Sequence, residues 1–310
     1  MTGDRTRNSL TSPLTSLSVV AWISMLTASS FSSILWGQLM GETPYWWYWI
    51  QSAFLVTFFA LTFIKVELKS LKGFILILLI NYFICPKESV FPWGLIPLIR
   101  SSSAWVSWSN QAPWVLSNMA WHLLRLTPTL VIMAFLLLRG MKREEFFLAK
   151  GKIDAPVQPS KLIGMKRPQP WTQIGPIFVI VFGIGTFLSL LLSSQPSLST
   201  FLQALPLIPV AILIAAINAF NEEFRLRAAP LSTLCPAVGS QNSLWITTVF
   251  FGLGHFYGVP PGVLGVLLSS FLGWFVGKSL LETKGFFWAW LSHFSSDVFI
   301  FTFEAMAAVA

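Results

Sequence analysis

Charge is scarce in this chain. Only 10% of its 310 residues are Asp, Glu, Lys or Arg, whereas soluble domains carry about 25%. That deficit excludes an ordinary water-solvated globule. Cysteine occurs twice, as Cys85 and Cys235; two cysteines make neither a disulfide framework nor a metal cluster, and both read as core or interface positions. Acidic residues number 12 against 20 basic ones. The resulting +8 is read as loop charge that sets membrane topology, with no nucleic-acid partner. Neither G-x-S-x-G nor H-E-x-x-H occurs, which removes the common serine-hydrolase and zinc-protease signatures. No internal repeat is visible, which counts against a repeat-built transporter. No A-x-A-like cleavage site follows the first apolar stretch, so a retained span is expected there rather than a cleaved signal.

What the chain has is apolar length. Hydrophobic residues make up 55% of it, including 15 Trp and 28 Phe, and the mean hydropathy is +0.69. About 20 apolar residues cross a bilayer as a helix. The expected class is therefore an all-α polytopic membrane protein with about nine transmembrane helices: Ser18–Gln38, Pro44–Ile64, Leu71–Cys85, Asn118–Leu138, Ile174–Ser193, Phe201–Phe220, Leu244–Tyr257, Gly262–Leu281 and Phe286–Ala305. Of the 20 basic residues, 17 fall at the N-terminus or in alternate connections. That bias predicts a cytoplasmic N-terminus and a C-terminus on the opposite side. Three regions follow: a four-span N-terminal block (1–139), a basic Pro-containing cytoplasmic linker (140–173) and a five-span C-terminal core (174–310). Lys142-Arg143-Glu144-Glu145 in the linker reads as solvated surface. The Trp- and Ser-rich stretch 86–113 is expected along the outer interface, with a short helix.

Against this apolar background a few polar residues stand out, because ionisable groups at membrane depth are costly and usually face a bundle interior or a watery cavity. The run Phe201–Phe220 flows into Asn221-Glu222-Glu223-Phe224-Arg225-Leu226-Arg227. If the helix continues, Glu223 and Arg227 share a face and can pair, while Glu222 points about 100° away. One carboxylate is then structural and the other free to act as a general base. The bland alternative is that both glutamates simply pair with Arg225 and Arg227. In Phe251-Gly252-Leu253-Gly254-His255 the aromatic and the histidine are one turn apart, and the glycines allow close backbone approach. In His293-Phe294-Ser295-Ser296-Asp297 a histidine and an acid share a face. His122 and Arg125 also share a face in the fourth span, and are read as a structural contact with a neighbouring helix.

The order E-E-x-x-x-R, F-x-x-x-H, H-x-x-x-D resembles the CPBP family, the CAAX protease and bacteriocin-processing intramembrane proteases, which includes the prenyl-protein endopeptidase of the endoplasmic reticulum. The resemblance covers roughly Ile174 to the C-terminus. It implies that Glu222 and His255 activate water, that His293 stabilises an oxyanion with Asp297 beside it, and that Glu223, Arg227 and Phe251 support the site. Two positions depart from the family pattern. Asp297 stands where the prenyl-protein endopeptidases have Asn, and an ionised Asp can only accept hydrogen bonds, so it would orient His293. Ala228 stands where Gly commonly follows the arginine.

The expected activity is hydrolysis of a peptide bond in a membrane-associated protein or peptide, with no cofactor favoured. A divalent metal such as zinc is the rival, held by Glu222, His255 and His293, a ligand set of some catalytic zinc sites, and would make the chain an intramembrane metalloprotease. Two other classes stay open: a non-catalytic immunity, scaffold or chaperone relative that binds a partner in the same cavity, and a proton- or ion-relaying transporter. Depth poses a problem. Glu222 lies near the end of its span and His255 near the far end of the next, so their meeting requires tilt or partial immersion of Ala228–Asn242.

Overall fold

The computed structural model describes residues 15–84 and 91–310. The N-terminal Arg5 and Arg7, together with Cys85 and Lys87, lie outside the described residues. The chain is helical almost throughout: α1 (Ser16–Ala28), α2 (Phe31–Met40), α3 (Tyr45–Ile64), α4 (Lys72–Ile84), α5 (Leu95–Ser101), α6 (Ser103–Gln111), α7 (Trp114–Arg125), α8 (Thr127–Leu138), α9 (Trp171–Ser194), α10 (Leu198–Ala204), α11 (Ile208–Glu223), α12 (Ala229–Leu253), α13 (Gly262–Thr283) and α14 (Phe287–Ala307). This is an all-α polytopic membrane fold.

Among the described residues, five helical stretches are long and apolar enough to cross a bilayer, six if the bent α1–α2 pair counts as one span. Nine were expected, and the difference has particular causes. α4 has only 13 residues, too few for a straight crossing at 1.5 Å per residue. α1 and α2 meet at 59°, where Ser29 folds its hydroxyl back onto the Leu26 carbonyl and also accepts from the Phe31 amide. α14 has 21 residues, but its row of Ser292, His293, Ser295, Ser296 and Asp297 dilutes its apolar character. The sixth and seventh expected spans are joined in one helical run, Leu198–Leu253.

That junction answers the depth problem. The helix of Glu222 does not end there but passes through a π-helical turn, Phe224–Ala228, into α12. The stretch after it, expected as a connecting segment, is helix with Ala229, Pro230, Leu231, Ser232, Thr233 and Leu234 all buried. The helix breaks at Gly239, whose φ of +78° suits glycine. α12 then runs on to deliver Phe251 and His255.

Among the described residues two smaller apolar clusters lie against α14, and two large cores hold the bundle. One gathers Phe146, Trp171, Phe224, Phe275, Phe286 and Trp288; the other gathers Leu55, Phe74, Tyr82, Leu234 and Ile246, so the N-terminal helices pack directly on α12. The 140–173 segment is more ordered than a linker. Residues 142–145 are exposed as expected, but Phe146 and Phe147 are buried. Pro156–Val157 pairs antiparallel with Gln169–Pro170. The segment is strapped to the α13–α14 turn by Lys152 N donating to Thr283 O (2.8 Å) and Phe286 N donating to Ala149 O (2.7 Å). Indole donors add to this, Trp171 Nε1 to Glu282 Oε2 at 3.0 Å and Trp288 Nε1 to Ile153 O at 2.9 Å. In the stretch 86–113, α5 and α6 supply the short helices, and Cys235 is half-buried against the first core.

Candidate active site

The polar residues singled out in α11, α12 and α14 converge. α11 and α14 pack along their lengths, and α12 packs against α13. Gly252 permits the second contact: a Cβ there would sit 2.0 Å from Ser270 Oγ and 2.8 Å from the Val266 carbonyl oxygen.

Glu223 and Arg227 form the innermost pair, both 0% exposed. Arg227 Nη1 donates to Glu223 Oε1 at 2.6 Å, and the guanidinium lies 3.6 Å from the centroid of the Phe251 ring. A buried cation with a carboxylate on one side and an aromatic face on the other is well accommodated. The same Glu223 Oε1 accepts from His293 Nδ1 at 2.5 Å. Because a carboxylate oxygen accepts, this contact fixes the ring with hydrogen on Nδ1. His293 Nε2 then lies 3.5 Å from Asp297 Oδ1 and 3.9 Å from Glu222 Oε2. Asp297 is held in turn by Asn218, whose Nδ2 donates to Oδ2 at 2.9 Å.

Glu222 looks the other way, as the helical spacing required. It lines a cavity of about 1360 Å³ together with His255, His293, Asp297 and Phe251. That volume exceeds the roughly 300–1,000 Å³ of typical small-molecule pockets and suits a peptide segment. Part of the wall is apolar and reaches the molecular surface at Val181, Val259 and Leu268. His255 Nδ1 is 2.8 Å from the Phe251 carbonyl oxygen. A carbonyl can only accept, so Nδ1 carries the hydrogen and Nε2 of the neutral ring carries the lone pair.

Arg125 joins the site from α7. Its Nη2 donates to Glu222 Oε1 at 2.7 Å and its Nη1 to Asn218 Oδ1 at 2.9 Å. The expected polar contact with a neighbouring helix is thus a contact with the candidate base itself. His122, by contrast, packs edge-on against Phe301. Asn218 was not singled out from the sequence, although it sits one turn before Glu222 on the same face. Asn81 and Arg225 were also missed as a pair: Arg225 Nη1 donates to Asn81 Oδ1 at 3.0 Å, and Asn81 Nδ2 donates back to the Arg225 carbonyl at 3.3 Å. Thr129 closes the helix junction by donating to Asn221 Oδ1 at 2.5 Å.

Among the described residues no three His, Cys, Asp or Glu side chains converge into a group fit to hold a metal ion. In the rival zinc set, Glu222 Oε1 accepts from Arg125, while the Nδ1 atoms of His293 and His255 meet Glu223 and the Phe251 carbonyl, an arrangement that metal-binding histidines also adopt.

Residues 204–299 match the family model described as Type II CAAX prenyl endopeptidase Rce1-like. The match takes in Glu222, Glu223, Arg227, Phe251, His255, His293 and Asp297, and agrees with the CAAX-protease resemblance carried by the three motifs. Arg125 and Asn81 lie outside it. No curated protein and no solved structure matches the chain. The Rce1-like segment supports an intramembrane endopeptidase of the CAAX type.

Proposed function

We propose that the chain is a metal-free, glutamate-dependent intramembrane endopeptidase that hydrolyses a peptide bond of a membrane-associated protein or peptide. In this reading Glu222 and His255 take the proton from an attacking water, and His293, protonated on both ring nitrogens among its carboxylate neighbours, donates from Nε2 to the oxyanion. The observation that carries it is the division of labour between adjacent glutamates. Glu223 is consumed by Arg227 and His293, whereas Glu222 faces the cavity beside both histidines. General-base and oxyanion contributions both require groups held before the substrate arrives. Arg227 and Glu223 do this for His293, and the Phe251 carbonyl does it for His255. Asp297, an acceptor anchored by Asn218, orients the far side of His293 rather than donating to substrate. The basic-residue bias supports an N-terminus in the cytoplasm and a C-terminus across the membrane.

One observation favours a non-catalytic binding or immunity role instead: Arg125 occupies Glu222 Oε1, so the carboxylate has a partner before any water is activated. The two readings part in one experiment. Purified protein is offered a peptide library in three samples: wild type, Glu222→Gln, and wild type treated with a chelator. The proposal expects cleavage in the wild type, unchanged by chelation and lost in the variant. Loss on chelation with recovery on adding zinc would make Glu222 a ligand. Absence of cleavage by folded wild type would support the binding role.

A further inference from the structure

One face of α3 carries Trp47, Gln51, Phe54 and Phe58, at successive spacings of four, three and four. These residues line a groove of about 230 Å³ whose other wall, at the α1–α2 elbow, includes Ile23, Thr27, Phe31 and Ser32. The groove is separate from the catalytic cavity, although the elbow serves both: Ala28, Ser29 and Ser30 line the cavity. Gln51 is 2% exposed, and its Nε2 donates to the Thr27 carbonyl at 3.0 Å and to Ser32 Oγ at 2.6 Å. Because a carbonyl only accepts, the first bond fixes which way the amide is turned. Its Oε1 is buried and has no partner among the described residues, and the same holds for Trp47 Nε1, one turn earlier. The wall is otherwise mainly apolar, and Ile23, Phe31 and Phe54 are exposed on the outside of the bundle.

A buried acceptor and a buried donor without partners are both costly, and such groups are ordinarily paired. A hydroxyl can serve both, donating to Gln51 Oε1 and accepting from Trp47 Nε1. Among the described residues no charged side chain lines the groove, which disfavours a phosphate or a carboxylate. Its volume far exceeds the roughly 10–15 Å³ that holds one water, yet falls below the roughly 300–1,000 Å³ of typical ligand pockets. One slender chain fits, and a two-chain lipid does not. Depth agrees. Tyr45, Trp46 and Trp49, exposed at the start of α3, are the residue types found at the headgroup level, and Gln51 lies six residues on, about 9 Å along the helix. We infer that the groove binds a neutral single-chain lipid alcohol, with its hydroxyl at Gln51 Oε1 and Trp47 Nε1 and its chain along Phe54 and Phe58. Binding there is independent of peptide cleavage.

The test uses the full chain in nanodiscs of dimyristoylphosphatidylcholine, a lipid with no hydroxyl. The probe is 1-hexadecanol carrying a photoreactive diazirine on its chain, with the labelled residues mapped by mass spectrometry. Label is expected on the Phe54–Phe58 and Ile23–Phe31 stretches. Unlabelled hexadecanol should compete about fivefold better than hexadecyl methyl ether, which accepts but cannot donate, the scale of one neutral hydrogen bond. Gln51→Met should erase that difference. Trp47→Phe, which keeps a ring but removes the donor, should weaken alcohol and ether alike relative to hexadecane, and it covers the case in which Gln51→Met disturbs the elbow. Label confined to other surfaces, or equal competition by hexadecanol, the ether and hexadecane, would reduce the groove to an ordinary lipid contact and overturn the proposal. So would an alcohol advantage over both competitors that survives both substitutions, or stronger competition by hexadecanoate than by hexadecanol.

Discussion

The Glu223–Arg227 pair permits the sharpest energetic forecast. Both residues are 0% exposed and joined at 2.6 Å, so removing either partner leaves a charge that water cannot reach. Breaking such a pair costs about 3–5 kcal/mol, a large share of the roughly 5–15 kcal/mol that holds a typical domain together. Arg227→Met strands the Glu223 carboxylate with His293 as its one remaining donor. Glu223→Gln strands the Arg227 guanidinium against Phe251. The double variant removes both charges, and its Gln oxygen still accepts from His293 Nδ1. The two single changes should each cost about 3–5 kcal/mol, and the double variant about 2 kcal/mol or less, because replacing both members of a buried pair is often nearly neutral. The assay is reversible unfolding in mixed micelles titrated with a denaturing detergent, analysed as a double-mutant cycle. Additivity within about 0.5 kcal/mol, as for independent sites, would refute the pair as a coupled structural unit.

Phe251→Leu removes the ring face under the Arg227 guanidinium, a desolvated cation–π contact worth about 2 kcal/mol; an unchanged unfolding midpoint would contradict that contact. Gly252→Ala forces a Cβ to within 2.8 Å of the Val266 carbonyl oxygen, so α12 and α13 must separate. The expected cost is about 1–3 kcal/mol of overpacking, with cleavage reduced further because His255 lies one turn on. Unfolding and cleavage measured together check this, and an alanine variant with full stability would show that the helices tolerate the shift.

Much of the site was legible because helical spacing is a strong constraint. Glu223 and Arg227, Phe251 and His255, and His293 and Asp297 are each four residues apart, and each pair interacts in the structure. The separation of Glu222 from Glu223 also followed from one residue of helical rotation. Partners contributed by distant segments were not legible. Arg125 announced itself as a lone cation inside an apolar span, but nothing local said that its partner would be Glu222, 97 residues away. Asn218 and Asn81 carry no charge and so gave a weaker signal. The span count strayed where length alone was the guide. A 13-residue helix and a helix bent at Ser29–Ser30 each look like a span in hydropathy. The π-turn at Phe224–Ala228 and the kink at Gly239 let one helical run do the work expected of two spans and a loop.

The claim at the centre of this account is that two adjacent glutamates have opposite jobs. The direct measurement is cleavage rate and unfolding free energy, side by side, for wild type, Glu222→Gln and Glu223→Gln in the same lipid. Glu222→Gln should abolish cleavage while losing much less stability than Glu223→Gln, because the cavity lets water reach Arg125 once its partner is neutral. Cleavage near the wild-type rate in Glu222→Gln, with the protein folded, would contradict the account.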